Sequence, residues 1–213
     1  MNRTTGAIAA VVALLVILIV VDRSTTRDGD SVAIVGDSIT FLDQGDIQRQ
    51  MAGEFSLHVS ATLGITLGRS LDAAKLLAGT RPQQVVIDLG SNDALSAVPI
   101  AQATNDLHAM VAVFKGADCI HLVNINTHMV ALGKGPVGVE AKQLNDEIHK
   151  MADANSAIDI IDWDKIIGDD IRAHPPKGQL TADTIHPGPV GQKLLADELD
   201  TVLHRCGRPW QFW

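Results

Sequence analysis

The stretch Ser31-Val32-Ala33-Ile34-Val35-Gly36-Asp37-Ser38 constrains the fold more than any other part of the chain. Apolar, largely β-branched residues run without alternation into Gly-Asp-Ser. A strand that is apolar on both faces has to be covered on both faces. That pattern predicts a buried parallel strand ending at a turn into a helix. Ser38 then stands at the carboxyl end of a strand, where open α/β sheets hold their ligands, and near the positive end of the next helix. Two roles fit this position. Asp37 or Ser38 caps the helix, or Ser38 carries chemistry.

Similar runs recur down the chain. Strands are predicted at Ser56–Ala61, Gln84–Leu89, Cys119–Ile125 and Ile158–Ile161, after the first at Ser31–Val35. Between them the apolar spacing predicts helices over Ile47–Glu54, Leu67–Leu77, Pro99–Phe114 and Val137–Ala154, with a last one from Pro189 to His204. Short apolar strands alternating with helices specify a parallel sheet covered on both sides. The expected fold is therefore a three-layer α/β/α sandwich, flavodoxin-like, with a five-stranded parallel sheet. A length of 213 residues, with 46% hydrophobic and 20% charged residues, suits one such globular domain. The net charge of −8 and the lack of a basic stripe argue against nucleic acid as a partner.

The amino terminus is different. Gly6 to Val21 is an uninterrupted apolar run, and Thr4 and Thr5 extend it without charge. Roughly 18 residues of helix at ~1.5 Å each span ~27 Å, enough for a bilayer core. Ile19-Val20-Val21 runs straight into Asp22 and Arg23, without the small-x-small site of a cleaved leader. Residues 1–21 are thus expected to be a single-pass membrane anchor, 22–30 a linker, and 31–213 the globular domain, facing outward from the cytoplasm. The last residues, Pro209-Trp210-Gln211-Phe212-Trp213, hold aromatics that either pack on the domain or sit at the membrane interface. Cys119 and Cys206 lack the spacing of a metal finger. Cys119 opens an apolar strand and reads as a small core residue, and pairing with Cys206 is left open. The sequence leaves the oligomeric state open.

Three further stretches fall at strand ends or near the carboxyl end of the chain. Leu63-Gly64-Ile65-Thr66-Leu67-Gly68 follows the second strand, where a glycine lets a backbone N–H approach a ligand. Gly90-Ser91-Asn92-Asp93 follows the third, and Asn92 either caps a helix or offers its amide to the same mouth. Asp183-Thr184-Ile185-His186-Pro187 places a histidine three residues after an aspartate, a spacing at which the carboxylate reaches Nδ1 and leaves Nε2 free. Metal ligation by His186 is the competing role, but no third ligand recurs nearby.

Taken together, Gly36-Asp37-Ser38, Gly64, Gly90-Ser91-Asn92-Asp93 and Asp183-Thr184-Ile185-His186 resemble the four blocks of the SGNH (GDSL-type) hydrolase superfamily. They occur in the family's order over residues 31 to about 204. The resemblance implies Ser38 as nucleophile, His186 as general base and Asp183 as the residue that orients it. It implies an oxyanion hole from the Ser38 and Gly64 N–H groups and the Asn92 side chain, with Gly68 the rival for Gly64. It implies no cofactor and no metal. Such a site acts on an acyl ester, with an acylated cell-envelope carbohydrate as the expected substrate. Ile160-Ile161-Asp162-Trp163-Asp164 and Leu122-Val123-Asn124 are similar to the extracytoplasmic SGNH domains of O-acyltransferases, so transfer to a glycan stands beside hydrolysis. A non-catalytic glycan-binding module is the third alternative. The remaining histidines have no assigned role, except that His128, after the fourth strand, is a candidate to line the pocket.

Overall fold

The computed structural model describes residues 29–207. In chain order the elements are β1 (Ser31–Gly36), α1 (Ser38–Met51), β2 (Ser56–Ala61), α2 (Leu67–Ala78), β3 (Gln84–Asp88), α3 (Ser91–Ser96) and α4 (Ile100–Val113). They continue with β4 (Cys119–Val123), β5 (Val130–Ala131), β6 (Gly135–Pro136), α5 (Gly138–Ala154), β7 (Ile158–Ile161), α6 (Trp163–Ala173) and α7 (Pro189–Leu203). The main sheet has five parallel strands in the order β2-β1-β3-β4-β7, and β5 and β6 form a separate antiparallel hairpin. This is the doubly wound order in which the chain leaves β1 first to one side and then to the other. The crevice lies between β1 and β3, at their carboxyl ends.

Side-chain alternation along the strands builds two cores. Val32 and Ile34 of β1, Val86 of β3 and Ile161 of β7 pack with Ile39, Ile47 and Met51 of α1, Trp163 and Ile167 of α6, and Leu195 and Leu199 of α7. Ala33 and Val35, one residue out of phase, pack with Val85 and Ile87 on the other face, under Leu67 of α2, Leu107 and Met110 of α4, and Ile148 of α5. The absence of alternation in Ser31–Val35 is thereby explained, since both faces of β1 are roofed by helices.

Several expectations need correction. The first helix begins at Ser38 rather than Ile47: Asp37 caps it, with its side chain accepting the Ile39 N–H. Cys119 is not a free core residue. It forms a disulfide with Cys206, Cα to Cα 5.9 Å, tying the start of β4 to the segment after α7. The short helices α3 and α6 and the β5–β6 hairpin had no counterpart in the sequence reading. Among the described residues no helix is long and apolar enough to cross a membrane. The segment 1–21 read as an anchor, most of the linker and the aromatic tail lie outside the described residues.

Candidate active site

The turn between β1 and α1 sets the site. Gly36 is required there because a Cβ would lie 2.0 Å from Thr40 Oγ1. Asp37 follows as the helix cap, and Ser38 is the first residue of α1, 8% exposed, with its backbone N–H among the unpaired donors of a helix start. The structure brings His186 to it across 148 residues of chain: His186 Nε2 lies 3.0 Å from Ser38 Oγ. His186 Nδ1 lies 2.8 Å from Asp183 Oδ2. A bond from Nδ1–H to the carboxylate fixes the tautomer, which leaves Nε2 to accept the serine hydroxyl proton.

Asp183 is held by its own loop. Its Oδ1 accepts the backbone N–H groups of Ile185 at 3.0 Å and His186 at 2.7 Å. Burial works against the charge, but those bonds and the His186 ring prevail and keep the carboxyl below its usual range. Between Asp183 and His186, Thr184 adopts φ +71°, an uncommon conformation for a β-branched residue. The strain is met by anchoring: Asn126 Nδ2 donates to the Thr184 carbonyl at 2.9 Å, and the Val130 N–H donates to Thr184 Oγ1 at 3.0 Å. Nothing in local sequence pattern pointed to Asn126 as a support for this loop.

Gly64 sits in the loop after β2 at φ +68°, a backbone conformation that favours glycine. The loop is tied at both ends. The Thr62 N–H donates to the Gly36 carbonyl at 3.2 Å, and the Leu67 N–H donates to Asp93 Oδ2 at 3.0 Å. Gly68, the rival, has a packing role instead, since a Cβ there would meet Asp106 Oδ2 at 2.5 Å. Asn92, the second residue of α3, does not cap that helix. Its Nδ2 donates to Asp37 Oδ2 at 2.9 Å, so the third block is bonded directly to the first. Gly90 permits the turn, with φ +110° and Ile125 Cδ1 only 2.6 Å from where a Cβ would be.

A group of buried carboxyls lies beneath Ser38. Burial, then the Asp88 charge, pushes Asp37 up to about 8, against the bonds from Ile39 and Asn92. Burial pushes Asp88 up to about 6, against the 2.6 Å bond from Thr40 Oγ1. Burial likewise raises Asp93 to about 6.

The two stretches likened to O-acyltransferases form a latch between the ends of β4 and β7. Asn124 Nδ2 donates to Asp162 Oδ1 at 2.7 Å, and the Asp164 N–H donates to Asn124 Oδ1 at 2.8 Å. Trp163 between them is a core residue, 1% exposed. His128 is exposed and lines a cleft of about 320 Å³ with Thr181 and Thr184, behind the Asp183–His186 loop. Among the described residues no three His, Cys, Asp or Glu side chains converge as a metal site.

The family model for the GDSL-like lipase/acylhydrolase family matches residues 29–194, most of the chain and every block of the site. The chain belongs to that family. As a GDSL-type enzyme it shares its fold with both hydrolases and an acyltransferase. It superposes on the C-terminal catalytic domain of Streptococcus pneumoniae peptidoglycan O-acetyltransferase A with a TM-score of 0.65 at 19% identity, covering 84% of this chain and 96% of that one. The lipase/acylhydrolase from Enterococcus faecalis gives 0.69 at 19% identity, over 85% and 99%. The psychrotrophic esterase EstA from Pseudoalteromonas sp. gives 0.60 at 23% identity, over 83% and 97%. No curated protein matches the chain in sequence.

Proposed function

We propose that this GDSL-type enzyme is a serine esterase that works through an acyl-serine intermediate, on an O-acylated carbohydrate or another ester of the cell envelope. The observation that carries this reading is the unbroken hydrogen-bonded chain Ser38–His186–Asp183 at the carboxyl end of β1. The Ser38 hydroxyl proton passes to His186 Nε2 as Oγ attacks the acyl carbon. The resulting oxyanion is met by the N–H groups of Ser38 and Gly64 and the Asn92 carboxamide, donors worth ~10²–10³ in rate each. His186 returns the proton to the departing alcohol, and water repeats the sequence to release the acid. Phe41 and Leu42, one turn beyond Ser38, and Leu63, beside Gly64, are exposed and apolar. They offer the acyl portion a surface out of water.

The Cys119–Cys206 disulfide favours an oxidising compartment. Together with the apolar run Gly6–Val21, it supports a domain anchored by residues 1–21 and held outside the cytoplasm. The likeness to a peptidoglycan O-acetyltransferase domain keeps a second reading in view, in which a glycan hydroxyl replaces water in the second half of the reaction.

The test is an activated acetyl ester supplied with and without a cell-wall glycan acceptor, followed by identification of the product. Free acid in both arms supports the esterase, and acylated glycan in the second supports the transferase. Ser38→Ala and His186→Ala are each expected to abolish turnover. Retention of glycan binding by a domain that turns over no ester, with or without Ser38, contradicts both readings and leaves a binding module.

A further inference from the structure

Asp37 is fully buried beside the nucleophile, and the charged groups that face it are themselves acidic, Asp88 and Asp93. Its Oδ1 caps α1 by accepting the Ile39 N–H at 2.8 Å. That duty needs no charge, because asparagine or serine caps a helix as well as aspartate does. A neutral cap would also avoid placing an acid among acids, so the cap does not account for the residue.

The other carboxylate oxygen does. Oδ2 accepts Asn92 Nδ2 at 2.9 Å. The two ends of a carboxamide are nearly identical in shape and opposite in polarity, and its partners alone decide which way it lies. A carboxyl has an acceptor on each oxygen, and with Oδ1 taken by the Ile39 N–H it is Oδ2 that meets Asn92 and takes its NH₂ end. One Nδ2 hydrogen is thereby committed to Asp37, and the second is left for another acceptor. We infer that Asp37 is a positioning residue, whose second carboxyl oxygen selects the amide orientation in which Asn92 turns an N–H, not its carbonyl, to the oxyanion. This rests on the reading of Ser38 as nucleophile and Asn92 as oxyanion donor.

The surroundings hold Asp37 to this task. Its backbone N–H donates to the Asp88 carbonyl at 3.2 Å, which links the end of β1 to the end of β3. Thr40, pressed against Gly36, donates to Asp88 Oδ2 at 2.6 Å, so the Asp88 carboxylate has its own donor. Replacing Asp37 by asparagine keeps the shape and the helix cap but presents an NH₂ group to Asn92. Two NH₂ groups cannot bond, so Asn92 turns over and its carbonyl takes the place of the donor.

The test is a double-mutant cycle on the full chain with a small activated ester, reading kcat and KM separately. Asp37→Asn and Asn92→Ala are each expected to lower kcat by ~10²-fold with KM changed less than about twofold. Combined, they are expected to be no slower than the worse single variant by more than about threefold, because both remove the same donor. Asp37→Ser, which keeps a cap acceptor but is too short for Asn92, serves as a second variant if Asp37→Asn does not fold, with the same loss expected. Turnover in a folded Asp37 variant within about threefold of wild type overturns the inference, as do losses that multiply in the double variant. Ser38→Ala separates the two levels. Loss of turnover there with a fully active Asp37→Asn overturns the positioning role alone, whereas turnover that survives Ser38→Ala overturns the esterase reading itself.

Discussion

Asp43 is a buried acid of α1. It is fully buried on the inner face of α1, and neither carboxyl oxygen has a hydrogen-bond partner among the described residues. Burial, then the charges of Asp46 and Asp88, pushes its carboxyl up to about 8. The sign of the consequence is fixed. A carboxyl that titrates near 4 when unfolded and near 8 when folded binds its proton more tightly in the native state. Its contribution to stability is complete below the unfolded value and is lost as pH rises through the folded one. Asp37 and Asp88 act in the same direction. Denaturant unfolding from pH 5 to pH 9 is therefore expected to show stability falling with pH, and falling less steeply in Asp43→Asn. Equal slopes in the two proteins would remove Asp43 from this account.

The same buried polar residues explain which elements the sequence disclosed. The strands of the main sheet were legible because their apolar runs are bounded by glycine, proline or charge, and observed and expected limits differ by no more than two residues. The long helices α2, α4, α5 and α7 were legible from apolar spacing. The first half of α1 was not. Its inward positions include Ser38, Thr40 and Asp43, polar side chains where a helical stripe calls for apolar ones. Two of these polar residues serve the site, Ser38 through its bond to His186 and Thr40 through its bond to Asp88. Six-residue α3 is too short to show a period, and Gly168 interrupts α6 where His128 Nε2 would lie 3.1 Å from a Cβ. Ser38, Asp183 and His186 were legible because each block keeps its residues adjacent in sequence. The contacts between blocks, Asn92 to Asp37 and Asn126 to Thr184, span 55 and 58 residues and leave no local trace.

At the scale of the whole domain, the sheet order gathers loops from both halves of the chain at one edge, and the disulfide closes the far end of the fold. Cys119 and Cys206 are 87 residues apart, and a cross-link over such a loop removes unfolded-state entropy worth on the order of 4–5 kcal/mol. The Cys119→Ser/Cys206→Ser protein is expected to melt roughly 5–15 °C below the oxidised one. A difference under about 2 °C would mean that the bond adds nothing to stability. Everything proposed about the chemistry converges on one covalent event at Ser38, and mass spectrometry of the protein, intact and digested, after acid quenching during turnover of an activated acetyl ester observes it directly. The account predicts an acetyl adduct on the peptide containing Ser38, formed as fast as product or faster and absent from Ser38→Ala. Undiminished turnover with Ser38 unmodified, or an adduct of equal competence on another residue, would contradict it.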